Sequence, residues 1–121
     1  MFVKEWMSRG LITVAPNATL DEALKLMETN KIRRLPVVDG GKLVGIVTDR
    51  DLMKVSPSPA TTLSKYELNY ILEKIIIKDI MSKKLYTINQ NSTIEEAALI
   101  LFNEKIGGIP VVEDSGAIVG V

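Results

Sequence analysis

The spacing of apolar residues along this chain alternates between a strand-like and a helix-like period. Short segments at residues 11–14 and 85–88 have the length and residue types of β-strands. Each is followed by Asn-x-Thr and then by apolar residues at helical spacing. In the first case these residues are Leu20, Ala23, Leu24 and Met27. The pattern therefore predicts a strand and then an amphipathic helix at two places in the chain.

Both predicted helices begin with a capping signal. Thr19 is followed three residues later by Glu22, and Thr93 is followed by Glu96. A threonine at the N-cap with an acid three positions on satisfies backbone N–H groups of the first turn. In the second helix, residues 97–102 are apolar nearly all round, which predicts deep burial.

A proline-led strand and a hairpin follow each predicted helix. The strands read LPVV and IPVV, the turns DGGK and EDSG, and the returning strands LVGIV and IVGV. Proline suits the first position of a strand because it donates no ladder hydrogen bond, and a glycine-containing turn is typical of hairpins. In the first copy another helix begins near Thr48, which gives the order β-α-β-β-α.

The two stretches are copies of one another. Aligned without gaps from Met7 and Met81, 13 of 32 positions are identical, where chance would give roughly two or three. Past the Val-Val pair the offset rises by one, and Gly45 lies opposite Gly120. This tandem duplication predicts a first unit at residues 1–56, a linker with a helix at 57–78, and a second unit at 79–121. The second unit is incomplete, since its Thr-x-x-Asp and last helix are absent before Val121.

The linker joins an irregular part to a predicted helix. SPSPATT is rich in Pro and Ser, and SKYE at residues 64–67 matches a capping box. The apolar positions that follow share one helical face: Leu68, Ile71, Leu72, Ile75 and Ile76. We expect this helix to pack on the body of the protein, and a detachable signalling helix is the alternative.

Composition excludes several classes of function. Hydrophobic residues make up 46% of the 121 residues, enough for a core, and 15 basic residues balance 15 acidic ones. With 5% aromatic residues, binding of nucleic acid or anionic lipid is not expected. The chain has no Cys and no His, which excludes thiolate and imidazole metal sites and the usual nucleophile–base pairs. Without a signal-peptide-like run or a span of about 20 apolar residues, we expect a cytoplasmic, non-enzymatic protein with no metal and no membrane contact.

The segment GIVTDRDL, residues 45–52, places a hydroxyl and a carboxylate three residues apart at a predicted helix start. Thr48 and Asp51 could form a plain cap, worth about 1 kcal/mol. The same pair could bind a ligand, because a carboxylate accepts strongly from two ribose hydroxyls and a hydroxyl at a helix start suits phosphate. Spacing alone leaves both interpretations open, and the two roles can coexist.

The order of these motifs, repeated twice, resembles a tandem pair of cystathionine-β-synthase (CBS) domains, a Bateman module. The segments that carry the resemblance are VKEWMSRGLITVAPNATLDEALKLM, IRRLPVVDGGKLVGIVTDRDL, IKDIM and IGGIPVVEDSGAIVGV. The linker is also similar to that of small bacterial CBS proteins of the acetoin-utilisation type. The resemblance implies an α/β (α+β) fold of two β-α-β-β-α units, packed sheet to sheet about a pseudo-twofold axis with two clefts between them.

The resemblance further implies ligands and site residues. Similar proteins bind AMP, ADP, ATP or S-adenosylmethionine in the clefts, as a regulatory ligand and not as a required cofactor. For the first cleft the implied residues are Thr13, Val14, Ala15, Leu35 and Pro36 at the base, Asp51 at the ribose, and Thr48 at the phosphate. For the second cleft they are Thr87, Ile88, Gly108, Ile109 and Pro110. Ordinary strand-end packing is the alternative for the residues at the base.

The two copies differ where KIRRLP in the first becomes KIGGIP in the second. Arg33 and Arg34 offer planar forks for anionic oxygens, whereas Gly107 and Gly108 leave room and bare backbone. We therefore expect Arg34 to contact phosphate in the first cleft and the second cleft to be roomier. A solvated basic edge is the alternative.

These features favour a regulatory module that binds an adenosine nucleotide and changes conformation, acting on a protein that the sequence does not identify. The alternative is a structural dimerisation module with a vestigial cleft. The apolar helices EALKLM and AALILF exceed what one small module can bury, so we also expect a homodimer through helices. Similar modules pair into a flat disc.

Overall fold

The structure, a computed structural model, describes residues 1–55, 67, 70 and 73–121, and these form two compact bodies. The first body contains the described parts of Ile12–Asp39 and Val44–Lys83. The second contains Met1–Leu11, Gly40–Leu43 and Lys84–Val121. Strands and helices occur in both, so the chain has the mixed α+β fold that the sequence predicts.

The regular elements follow the predicted order. Short 3₁₀ turns lie at Val3–Glu5 and Ile77–Asp79. Among the described residues, three helices have both ends described: α1 (Leu20–Asn30), α2 (Asp49–Val55) and α3 (Ile94–Glu104). The strands are β1 (Arg34–Asp39), β2 (Lys42–Thr48), β3 (Ile88–Asn89), β4 (Val111–Val112) and β5 (Ile118–Gly120).

The ends of α1 and α3 match each other and confirm the capping prediction. The hydroxyl of Thr19 accepts a hydrogen bond from the N–H of Glu22 at 3.2 Å, and Thr93 accepts from Glu96 at the same distance. At the other end each helix stops at a lysine, Lys31 or Lys105, with φ of 54°. A left-handed residue there lets its N–H bond to the preceding carbonyls.

The strands before the helices are shorter than predicted. In the first body the pairing reduces to one parallel bridge, in which the N–H of Val14 donates to Pro36 and its carbonyl accepts from Val38. In the second body β3 begins only at Ile88, which donates to Pro110. Extending either ladder backwards needs an N–H from the proline, which proline lacks. The predicted segments 11–14 and 85–88 therefore pair only at their last residue.

The hairpins form as predicted. β1 and β2 make a two-stranded sheet joined by Gly40 and Gly41, both with positive φ. In the second body β3 runs parallel to β4 and β4 antiparallel to β5. Gly116, at φ 88°, lies in the turn before β5.

The prediction that residues 97–102 are deeply buried is wrong. Ala97 is buried, but Leu99 is 60% exposed and Phe102 is 81% exposed. Only one side of α3 packs on the core of its own body, and the other side keeps its apolar residues at the surface. All-round hydrophobicity indicated a buried helix because sequence cannot separate burial within a chain from burial by another molecule.

Each body contains the segment that leads into the other repeat. Val3, ahead of the first repeat, donates its N–H to the carbonyl of Ser92 in the second body at 2.8 Å. Ile77, at the equivalent place ahead of the second repeat, donates to Ala18 in the first body, also at 2.8 Å. The predicted units at residues 1–56 and 79–121 describe copies of sequence, and the compact bodies cut across them.

Each body has its own core, completed by the lead segment of the other repeat. The first-body core consists of Val14, Ala18, Leu20, Ala23, Met27, Leu35, Val37, Val47, Leu52 and Ile77. The second-body core consists of Val3, Ile88, Ala97, Ile109 and Val111. Ile77 is fully buried and Val3 nearly so, so each lead segment contributes a core side chain.

The predicted linker helix is described only in part. Glu67, Tyr70, Glu73 and Lys74 are helical. The capping box at Ser64 and the apolar positions Leu68, Ile71 and Leu72 lie outside the described residues. Ile75 is half-buried against the first-body core, and its carbonyl accepts from the N–H of Leu20 at 2.8 Å. In the described part of the chain, no helix has both the length and the apolar character that crossing a bilayer requires.

Candidate functional site

The candidate site is built on the junction between β2 and α2. Thr48 ends β2 and Asp51 lies in the first turn of α2. The N–H of Thr48 donates to Oδ2 of Asp51 at 2.9 Å, and the N–H of Asp51 donates to Oγ1 of Thr48 at 3.3 Å. This reciprocal pair is a capping box, so the capping interpretation of GIVTDRDL is confirmed.

The cap leaves part of each side chain available. Both Thr48 and Asp51 are half-buried. The Thr48 hydroxyl accepts in the cap and can still donate its proton. Oδ1 of Asp51 has no donor among the described residues. A carboxylate carries about four acceptor sites, so the box and a ligand can use Asp51 together.

The start of β1 is held beside this junction. The N–H of Asp49 donates to the carbonyl of Arg33 at 2.9 Å. This bond fixes the backbone of Arg33 and Arg34 next to the first turn of α2. Arg33 is exposed and Arg34 is half-buried.

The residues expected around the base have different degrees of burial. Leu35 and Pro36 are fully buried, Val14 nearly so, whereas Thr13 is half-buried and Ala15 exposed. Val14 and Pro36 are hydrogen-bonded neighbours at 3.0 Å. The structure therefore brings these two segments together, with Thr13 and Ala15 as the members that reach the surface. Their contact with a base stays a prediction.

The second set of predicted residues repeats part of this geometry. The N–H of Ile88 donates to Pro110 at 3.1 Å, as Val14 does to Pro36. Ile109 is buried, Gly108 half-buried and Thr87 exposed. Gly108 takes the place that Arg34 has in the first copy, and the expectation of a roomier second cleft stays a prediction.

Lys84 and Tyr86 precede β3 in the second body. Lys84 Nζ lies 5.7 Å from the centroid of the Tyr86 ring, and its interaction with Tyr86, followed by that with Glu104, raises the pKa of Lys84.

A groove in the first body was not predicted from the sequence. Its volume is about 450 Å³, and it is lined by Pro16, Asp39, Val44, Lys78, Asp79, Met81 and Lys83. None of the predicted site residues lines it, although Pro16 adjoins Ala15. The recurring Lys-acid pair in VKEWM and IKDIM is the sequence signal that could have drawn attention to Lys78 and Asp79. Among the described residues, no group of carboxylates is arranged to hold a metal ion.

Two curated relatives differ in how much of them this chain spans. A CBS domain-containing protein from Dictyostelium discoideum is 38% identical over 122 residues, covering 100% of this chain and 84% of that protein. An inosine-5′-monophosphate dehydrogenase from Korarchaeum cryptofilum is 36% identical over 120 residues, covering 98% of this chain but only 22% of the enzyme. The chain therefore spans most of one relative and about a fifth of the other.

Three solved structures have the same fold. An acetoin utilization protein from Vibrio cholerae has a TM-score of 0.82 and 30% identity, covering 99% of this chain and 82% of that one. CBSX2 of Arabidopsis thaliana, solved with AMP, has a TM-score of 0.80 and 29% identity, with coverages of 98% and 87%. The CBS domain pair of MJ0100, solved with 5′-methylthioadenosine and S-adenosyl-L-methionine, has a TM-score of 0.80 and 30% identity, with coverages of 99% and 86%.

The family model named CBS domain matches this chain twice. The matched stretches are residues 3–58 and 77–121, which together hold both copies of the duplication. The resemblance to acetoin-utilisation-type proteins is confirmed at the level of fold by the Vibrio cholerae structure. The chain belongs to the CBS domain family, as a tandem pair of CBS domains.

Proposed function

We propose that this chain is a regulatory module that binds an adenosine nucleotide and responds by changing conformation. The observation that carries the proposal is the Thr48–Asp51 capping box, which holds a carboxylate and a hydroxyl in fixed positions. Among the described residues, Oδ1 of Asp51 and the hydroxyl proton of Thr48 remain available to a ligand. Two neighbouring ribose hydroxyls are donors that suit Oδ1 of Asp51, since a charged acceptor strengthens both bonds.

The phosphate end of the ligand would lie toward Thr48 and Arg34. The hydroxyl of Thr48 can donate to a phosphate oxygen while its oxygen remains in the cap. Arg34 follows Arg33, whose carbonyl accepts a hydrogen bond from the N–H of Asp49 in α2 at 2.9 Å. The backbone that carries the Arg34 side chain is therefore held in place. A planar fork binds anionic oxygens in two places at once.

The ligands of the related structures support adenosine as the common element. CBSX2 was solved with AMP, and the MJ0100 domain pair with 5′-methylthioadenosine and S-adenosyl-L-methionine. These molecules share an adenosine with a free ribose diol, whereas their 5′ groups differ in charge. Asp51 would accept hydrogen bonds from the shared ribose diol, and Arg34 would favour an anionic 5′ group. We therefore place AMP ahead of S-adenosylmethionine for this chain, with ADP and ATP as further candidates.

We also propose that the module acts as a homodimer on a protein that it regulates. The exposed apolar side of α3, with Leu99 and Phe102, supports assembly with or without a ligand. That observation also favours the second candidate, a structural dimerisation module whose cleft is vestigial.

A thermal-shift and titration panel separates the two candidates. The chain is melted with adenosine, AMP, ADP, ATP, S-adenosylmethionine and GTP. A ligand at about 100 times its dissociation constant should add about 2.7 kcal/mol to the free energy of unfolding. A shift with the adenosine compounds and none with GTP supports the nucleotide module. Unshifted melts throughout, with a stable dimer, would leave the structural module.

A further inference from the structure

Ser82 is hydrogen-bonded to β2, the strand that ends at the candidate site. Ile46 and Ser82 exchange two backbone hydrogen bonds, at 3.1 Å and 2.8 Å. Ile46 lies two residues before Thr48 on β2. Ser82 lies five residues before Thr87, at the end of the segment that leads into the second repeat. One backbone bridge therefore joins the end of β2 to the chain segment that continues toward β3.

Gly45 makes this bridge possible. A Cβ on Gly45 would lie 2.5 Å from Sδ of Met81 and 3.1 Å from the carbonyl oxygen of Ser82. A side chain there would displace the Met81 side chain and shift the Ser82 carbonyl by a few tenths of an ångström, which would loosen the segment on β2. The absence of a side chain lets Met81 lie flat on the strand, where it also packs against the first-body core.

The second body repeats the arrangement. Ser8 and Val121 exchange backbone hydrogen bonds at 3.2 Å and 3.3 Å. A Cβ on Gly120 would lie 2.8 Å from the carbonyl oxygen of Ser8 and 2.9 Å from Sδ of Met7. In both bodies the last strand of one repeat thus holds the Met-Ser segment that leads into the first strand of the other.

We infer that the Gly45–Met81–Ser82 contact is a coupling element, through which the state of the Thr48–Asp51 site is transmitted along the chain to the second repeat. A shift of β2 moves Ser82 because two hydrogen bonds join them. Ser82 continues within two residues into the second body, at Lys84. The route combines the packing of Met81, two backbone hydrogen bonds and the covalent chain, which are kinds of contact that carry energetic coupling.

Amide hydrogen exchange in ligand-free protein tests the path without a nucleotide. The reporters are the N–H of Ser82, which donates to Ile46, and the N–H groups of Ile88 and Gln90, which donate to Pro110 and Val112. Gly45→Ala should speed exchange at Ser82 and, by about tenfold, at Ile88 and Gln90 through local opening. The double variant Gly45→Ala/Met81→Ala should recover part of the protection, because it removes the closest clash.

Two controls isolate the contact. Gly10→Ala adds a Cβ that meets nothing within 4 Å and should leave all three reporters unchanged. Val47→Ala removes volume from the first-body core. It should lower the free energy of unfolding as Gly45→Ala does, while it keeps the backbone bridge between Ile46 and Ser82. Where Gly45→Ala does not fold, Met81→Ala alone loosens the same packing. Acceleration at Ser82 with Ile88 and Gln90 unchanged, or equal acceleration in Val47→Ala, would overturn the inference.

The nucleotide arm rests on the proposed function. Saturating AMP should protect Ile88 and Gln90 in the wild type and should fail to do so in Gly45→Ala that still binds AMP. Equal protection in that variant would overturn the coupling. If AMP does not bind the wild type, the proposed function fails, and the ligand-free exchange then decides on the coupling element alone.

Discussion

At the scale of single residues, we propose that Thr48 and Asp51 divide their hydrogen bonds between the fold and a ligand. Each accepts one backbone N–H from the other. Under this proposal, a mutation at either position should have two effects, one on the free energy of unfolding and one on ligand affinity. Experiments on this site need a control that removes a cap where no ligand is expected.

Thr19 provides that control, because it caps α1 in the way that Thr48 helps to cap α2. We predict that Thr48→Val and Thr19→Val each lower the free energy of unfolding by about 1 kcal/mol. Only Thr48→Val should also weaken AMP, by roughly 10- to 150-fold for a lost bond to a charged group. Urea melts and titration calorimetry on both variants measure the two effects. Equal AMP affinities would restrict Thr48 to the cap.

The arginines predict a dependence on phosphate and on salt. If Arg34 contacts phosphate, AMP should bind more tightly than adenosine, and the difference should shrink as salt screens the charges. Arg34→Gln should abolish the difference, whereas Arg50→Gln, at an exposed position of α2, should preserve it. Titrations of both ligands at two ionic strengths decide this. If adenosine and AMP bind with the same, salt-independent affinity, Arg34 does not contact the phosphate.

At the scale of elements, the sequence was most informative where local chemistry decides the structure. The caps at Thr19 and Thr93 and the glycine hairpins follow from rules that involve a few neighbouring residues. The strands before the helices were predicted too long, because their ladders end at prolines on other strands, Pro36 and Pro110. The groove lined by Lys78 and Lys83 was missed, because only tertiary packing brings its residues together.

The two long helices differ on their outer sides. Leu99 and Phe102 of α3 correspond to Lys25 and Glu28 of α1 at the offset of 74. In α1 these positions are exposed and charged, and Lys25 pairs with Asp21 at 3.0 Å. In α3 the same positions are exposed and apolar. This difference indicates that α3, and not α1, contributes the apolar contact of the proposed homodimer.

We predict that replacing the α3 residues by their α1 counterparts, Leu99→Lys with Phe102→Glu, converts a dimer to a monomer. Removing two large apolar side chains from an interface core eliminates much of its binding energy, while the fold should change little because both positions are exposed. Light scattering at several concentrations measures the mass, and Thr29→Lys on exposed α1 is the control. A wild-type monomer at high micromolar concentration would contradict the homodimer.

At the scale of the whole molecule, the two repeats depend on one another for their cores. The sequence duplication is plain, but the exchange of lead segments is not visible in it. In the sequence VKEWM leads into the first repeat and IKDIM into the second, whereas the contacts place each segment in the body that holds most of the other repeat. A sequence alignment shows which segments share an origin, but it does not show which core a segment packs against.

This exchange predicts an effect at Ile77. The side chain is fully buried in the first-body core, so Ile77→Ala should lower the free energy of unfolding by about 2–5 kcal/mol. The neighbouring exposed Lys78→Ala should change it by less than about 0.5 kcal/mol. Urea unfolding measures the loss of free energy, and hydrogen exchange of the Val14 and Val38 amides reports on the first body separately. An effect of Ile77→Ala no larger than that of Lys78→Ala would contradict the assignment of this segment to the first body.

The central claim is that Asp51 accepts the ribose hydroxyls of an adenosine nucleotide while it caps α2. Its most direct test is a double cycle by titration calorimetry, with AMP and 2′,3′-dideoxy-AMP on the wild type and Asp51→Ala. We predict that Asp51→Ala weakens AMP by roughly 10- to 150-fold, the cost of a charged acceptor. The dideoxy compound should bind the wild type poorly and lose little further in the variant. If the two losses add in full, or if AMP affinity is unchanged while the melting temperature falls, Asp51 does not contact the ribose and the cap is its whole role.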